Sequence, residues 1–86
     1  MHHNLKILPC YFYAVERGDK TFEIRDDTDR GFQVGDTVTL HEYDPKCGLV
    51  ESDHFTGRTL MRRITYVTAF KQQPGYVVFS HVKEGE

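Results

Sequence analysis

An 86-residue chain has room for one core and one domain, and a domain of that size buries only about 60–65% of the surface its unfolded chain exposes. With 38% hydrophobic and 28% charged residues it is globular rather than disordered, and five Tyr and six Phe supply ring area for a small core that contains no Trp. A net charge of −2 excludes a polyanion binder that works by bulk charge, but residues 16–53 hold most of the carboxylates while Arg58, Arg62 and Arg63 have no nearby acid, which leaves a local basic face open.

Leu5-Lys6-Ile7-Leu8 is a short apolar run suited to a first strand. Pro9 stands where a helix can begin, and the spacing of Phe12, Val15 and Tyr11 predicts a helix of about two turns over Cys10–Arg17, stopped by Gly18. Thr21–Arg25 reads as a strand with Phe22 and Ile24 on the core face and Thr21, Glu23 and Arg25 on the other. Residues 26–31 have loop composition, and Gly35-Asp36 forms a tight turn with a structural role. Thr37–Tyr43 is a second clear strand, whose parity places Glu42 on the face of Val38 and Leu40.

Asp44–Gly48 reads as a turn and residues 49–57 as a polar excursion. Arg58–Ala69 is a long strand rich in Thr, Ile, Tyr and Val, and Gln72–Gly75 a turn. Tyr76–Ser80 is apolar on both faces and reads as the most buried strand, followed by a frayed tail over residues 83–86. Several short strands with one early helix predict an α+β, mainly β fold: a small closed or half-closed barrel of about five strands plugged by the helix, which removes exposed sheet edges.

No run approaches the ~20 apolar residues of a membrane helix, and Met1-His2-His3-Asn4 lacks the apolar stretch of a signal peptide, so a cytoplasmic chain without membrane contact is expected. Cys10 and Cys47 form neither a CxxC knuckle nor a disulfide framework. His2, His3, His41, His54 and His81 show no zinc-like spacing, and neither a metal nor another cofactor is expected.

The helix is followed in order by Gly18-x-Lys20-x-x-Glu23-x-Arg25, Phe32-x-Val34-Gly35-Asp36, Thr56-Gly57-Arg58 and Gly75-Tyr76-Val77-Val78. This series resembles the ASCH superfamily, in particular its small single-domain bacterial and phage branch of uncharacterised proteins, and it spans Leu5 to Phe79. The resemblance implies a PUA-like β-barrel over residues 1–86 and, by likeness to PUA domains, RNA binding. Some small members are amidohydrolases of acylated cytidine that use the signature lysine, a nearby threonine and a glutamate. Lys20 matches that lysine; at the position of the threonine this chain carries Glu23.

Lys20, Glu23 and Arg25 form the sharpest constellation. Glu23 and Arg25 share a strand face and Lys20 sits at the helix–strand junction, so the three can converge on one cleft. Arg grips a phosphate or a guanine edge in bidentate fashion, Lys adds a point charge, and Glu accepts from an exocyclic amino group or holds the two cations in place. The plain alternative is an ion-pair ladder on a solvent face. The resemblance favours the cleft.

Thr21 is a candidate nucleophile or phosphate contact, but with no activating base beside it it reads as an outer-face strand former. Glu42 at a barrel rim would have a raised pKa and serve as general acid or base; alternatively the strand has left the core there and Glu42 is solvated. Arg30, Arg58 and Arg62 are candidate phosphate contacts, with Arg58 at the cleft edge and Arg62 sharing its face by period two. Tyr11, Tyr13, Tyr43, Phe55 and Tyr66 are core rings or stacking platforms for unpaired bases, Phe55 being the most exposed by context.

Three functions follow as expectations. The first is an RNA- or nucleotide-binding module with a cleft lined by Lys20, Glu23 and Arg25. The second is a small amidohydrolase of a modified nucleoside, with Lys20 as base or charge stabiliser and Glu23 or Glu42 as acid and base. The third is a protein-interaction module in which the cleft is vestigial.

Overall fold

The computed structural model describes residues 1–46 and 51–84, with Glu51 and Ser52 as backbone only. Cys47 and Gly48 of the expected turn, residues 49–50 of the polar excursion and the last two residues of the expected tail lie outside that range. The elements run β1 (His2–Ile7), α1 (Pro9–Arg17), β2 (Phe22–Asp26), β3 (Thr37–Tyr43), a 3-10 turn (Glu51–His54), β4 (Phe55–Thr68) and β5 (Tyr76–Lys83). Among the described residues the strands form one curled sheet, ordered β1-β3-β4-β5-β2, that makes a half-barrel. This is the mainly β fold with one early helix that the sequence predicts.

β1 starts before the Leu5 expected for it, because His3 extends the inward row of Leu5 and Ile7 while His2, Asn4 and Lys6 point outward. Leu8 leaves the strand: it precedes Pro9, adopts an extended conformation, and accepts at its carbonyl from Phe12 N at 2.8 Å. Helix α1 buries Phe12 and Val15, whereas Tyr11 faces out. Gly18 closes the helix at φ +87°, where its N–H and that of Asp19 reach the last free carbonyls.

β1 runs parallel to β3, and the other pairs are antiparallel. Register shifts at His41/Tyr43 and Ile64/Tyr66 interrupt the ladders on both sides of β4; such bulges bend strands and increase their twist. Phe12, Val38, Leu40, Ile64 and Phe79 are the centre of the core, and Phe32 from the β2–β3 connection packs on Phe79 at 4.9 Å. The Gly35-Asp36 turn is structural as expected: Gly35 takes φ +94°, and the buried Asp36 accepts from Gln33 N and His3 Nε2.

Three expectations fail. In β2 the faces are reversed: Glu23 is buried at 3% exposure, Arg25 is half-buried beside it, and Phe22 and Ile24 are exposed. In β5 burial is not two-sided. Val77, Phe79 and His81 point in while Val78 and Ser80 are only half-buried, and the strand continues to Lys83. Glu84 is also held, its N–H on Met61 O at 3.1 Å, so the described part of the tail is not frayed.

Candidate functional site

β1 and β2 are the two edges of the sheet, and the curl brings them to face each other across a seam. Edge carbonyls need partners, and here cationic side chains supply them. Arg25 Nη2 donates to Lys6 O at 2.9 Å, Arg30 Nη1 to Asn4 O at 3.1 Å, and Lys20 Nζ to Phe22 O at 2.6 Å. A cleft of about 460 Å³ lies along this seam. Ile7, Leu8 and Ile24 give it apolar walls, Tyr11 and Phe22 its rings, and Lys6, Lys20 and Arg25 its positive charge. Lys20 Nζ stands 5.6 Å from the Tyr11 ring centre and 5.1 Å from that of Phe22, in cation–π range of both.

Glu23 organises the cations. Its Oε2 accepts from Lys20 Nζ, and its Oε1 accepts from Arg25 Nη2 at 2.9 Å. Behind it is His81, fully buried on β5. Arg62 Nε donates to His81 Nδ1 at 2.9 Å, which leaves the ring proton on Nε2. That Nε2 lies 3.8 Å from Glu23 Oε2, beyond hydrogen-bond length and without another partner among the described residues, so its pull on the carboxylate is electrostatic. Burial alone raises the Glu23 pKa, but His81, Lys20 and Arg25 outweigh it and hold the carboxyl down at about 2.

A carboxylate held this way is ionised throughout the neutral range. It fixes two cations and is a poor proton acceptor. The ion cluster of Glu23 with Lys20 and Arg25 keeps one positive charge in excess at the cleft wall. The cleft is therefore suited to an anionic ligand that also has an apolar or aromatic part.

The family model for a domain of unknown function (DUF3850) matches residues 2–81. The chain belongs to the DUF3850 family. It is also similar to an uncharacterised 12.9 kDa protein in the GpA 3' region of Escherichia phage P2, 39% identical over 66 residues. That match covers 77% of this chain and 53% of the phage protein, so the chain spans about half the length of that relative.

The remaining residues singled out in the sequence are dispersed over this DUF3850 domain. Arg58, expected at the cleft edge, instead clamps Glu42 with Nε on Oε1 at 2.9 Å and Nη2 on Oε2 at 2.7 Å, and Thr56 Oγ1 donates to the same Oε1 at 2.6 Å. Its guanidinium lies 4.9 Å from the Phe12 ring centre and 4.5 Å from that of Tyr13, tying β4 to α1. Glu42 does point inward, as parity predicts, but the pKa expectation is reversed: the Arg58 hydrogen bonds hold its carboxyl below the usual range, against burial and with help from Thr56. Arg62 is set on His81, Arg30 on the β1 edge, and Thr21 is exposed, its carbonyl accepting from His81 N.

Of the five candidate rings, Tyr11 lines the cleft, Tyr13 packs on Arg58, Tyr43 and Phe55 lie together at 5.1 Å, and Tyr66 is exposed. Among the described residues no group of three or more His, Cys, Asp or Glu is placed to hold a metal ion, and no helix is long and apolar enough to cross a membrane. Sequence reasoning missed His81, Lys6 and Phe22 as parts of the site. The signal for His81 was present, since the inward row Val77, Phe79 continues to it at period two.

Proposed function

We propose that this chain is an ASCH/PUA-like cytoplasmic module that binds RNA, taking one nucleotide into the seam cleft with Lys20 and Arg25 on its phosphate and the Tyr11 and Phe22 rings against its base. The observation that carries the reading is the way Glu23 holds Lys20 and Arg25 at the wall of a cleft that also presents two aromatic rings. Cations positioned by a buried carboxylate lose little side-chain entropy when an anion arrives, and exposed rings stack unpaired bases of any sequence. Splayed, single-stranded RNA fits such a cleft better than a duplex, whose bases are stacked away.

Binding has more support here than hydrolysis of a modified nucleoside. A glutamate with a pKa of about 2 is a weak general base at neutral pH, and Glu42, the other carboxylate considered for that role, is occupied by Arg58 and does not line the cleft.

The test is fluorescence anisotropy of a labelled single-stranded RNA across a salt series. Affinity is expected to fall with salt at a log–log slope of about −0.7 for each phosphate neutralised, and Tyr11→Ala, at an exposed ring, is expected to weaken binding about tenfold. Lys20→Ala combined with Arg25→Ala should abolish it. No measurable affinity for RNA, DNA or nucleotides at low salt would overturn the reading.

A further inference from the structure

Behind the cleft, the buried ring of His81 carries a hydrogen-bond donor that nothing takes up. His81 lies on the inward row of β5 with its side chain at 0% exposure, and its backbone N–H donates to Thr21 O at 3.0 Å. Arg62 Nε donates to Nδ1 at 2.9 Å, and because a guanidinium only donates, the ring proton is on Nε2. That Nε2 has no hydrogen-bond partner among the described residues. An unsatisfied N–H in the interior costs free energy, and folded proteins rarely keep one without a role.

Glu23 is the acceptor just out of reach. Its Oε2 stands 3.8 Å from His81 Nε2, and a shift of about 1 Å would bring the two to hydrogen-bond length. The two oxygens of Glu23 are differently employed. Oε1 accepts from Arg25 Nη2 at 2.9 Å and from its Nε at 3.3 Å, whereas Oε2 accepts from Lys20 Nζ. A phosphate that draws on Lys20 therefore takes a donor from Oε2 alone. The Glu23 side chain is 4% exposed, too buried for bulk water to replace that donor, and His81 stands behind the same oxygen. Arg62 fixes the ring at Nδ1, and the Phe79 ring lies beside it at 6.1 Å, so the part free to move is the carboxylate.

We propose that His81 is a positioning residue that takes over Glu23 Oε2 when a ligand phosphate engages Lys20, so that the buried carboxylate passes from one donor to another. The inference rests on the cleft reading above and adds how the cleft releases its lysine. Arg25 stays on Oε1, Glu23 stays ionised and bonded, and Lys20 Nζ turns to the phosphate. Without His81 the ligand would have to strip a donor from a buried charge, which weakens binding. A histidine kept for packing alone would explain the Arg62 contact, but not a protonated nitrogen held just short of Glu23.

The readout is the Nε2–H resonance of His81 in proton–nitrogen NMR spectra, which moves downfield when a carboxylate shares that proton. Lys20→Met with no ligand present should already show the downfield position, because Oε2 has lost its lysine. Titrating the wild-type chain with a uridine octanucleotide should drive the resonance the same way as the cleft fills. His81→Leu should bind the octanucleotide about tenfold more weakly, and His81→Gln, which keeps an N–H donor, should recover most of that loss. An unmoved resonance in folded Lys20→Met, octanucleotide binding to the wild type without a downfield shift, or undiminished binding by His81→Leu overturns the inference and leaves the cleft reading standing. The wild-type titration decides where Lys20→Met does not fold. If no RNA, DNA or nucleotide binds at low salt, the cleft reading falls, and a downfield resonance in Lys20→Met then upholds the exchange of Glu23 between Lys20 and His81 by itself.

Discussion

Glu23 is the residue on which the seam depends, because a buried carboxylate is tolerated only while its cations are in place. Removing its charge in Glu23→Gln leaves Lys20 and Arg25 half-buried without a counter-ion, a change of the kind that destabilises by about 3–5 kcal/mol. Urea unfolding should register it as a lower midpoint at unchanged slope. The same residue sets an acid limb. A carboxyl lowered from 4.5 to about 2 on folding adds stability that is complete above the unfolded value and is lost as pH falls from about 4.5 toward 2. For Glu23 that contribution is on the order of 3 kcal/mol. Wild-type stability should therefore drop steeply across that window, and Glu23→Gln should show a visibly shallower drop. Parallel acid profiles for the two proteins would mean that the Glu23 cluster does not contribute through its charge.

At the level of elements, β2 separates what the sequence makes legible from what it hides. The octapeptide Gly18–Arg25 places a helix stop, a strand and the charged trio Lys20, Glu23 and Arg25 in order, and all of that is found. The grouping of Lys20, Glu23 and Arg25 was likewise legible, because a helix–strand junction and a period of two bring them to one side. What period two cannot decide is which side is inside. Large apolar residues at Phe22 and Ile24 argue for the core, but β2 is an edge strand beside an open seam. There the inward positions look across to β1 rather than into packed side chains, and two cations satisfy one carboxylate. Arg58 was misplaced for a related reason: strand parity gave its face correctly, but sequence does not reveal that Glu42 lies within its reach. The face reversal has a mutational signature. Ile24→Thr, at an exposed position that also favours strand, should change stability by no more than about 0.5 kcal/mol, whereas Phe79→Ala, opposite Glu23 at 0% exposure, should cost about 3–5 kcal/mol. Thermal unfolding of the two variants compares them directly, and a large loss from Ile24→Thr would restore the original assignment of faces.

For the molecule as a whole, the half-barrel raises the question of how two free sheet edges avoid pairing with another chain. A closed barrel removes its edges by backbone pairing; here the closure is made by side chains that reach from β2 and the following loop to the carbonyls of β1. Arg25 and Arg30 act on successive outward carbonyls, Lys6 O and Asn4 O, while β1 keeps its ladder to β3 on the other side. Arg25 is also held by Glu23, so its loss would disturb the ion cluster as well as the edge. Arg30 is exposed and its side chain donates to the edge alone among its described contacts, so it is the cleaner probe. Arg30→Ala removes a single solvent-exposed hydrogen bond, so global stability should fall by less than about 1 kcal/mol. Its effect should be local: amide exchange in β1 should accelerate through opening of the seam, while β3, β4 and β5 at the centre of the sheet keep their protection. The uncovered edge should also lower the concentration at which the chain self-associates, measurable by light scattering across a dilution series. If β1 exchange and self-association both match the wild type, Arg30 is a surface contact and the seam is held by Arg25 and Lys20 from within the cleft.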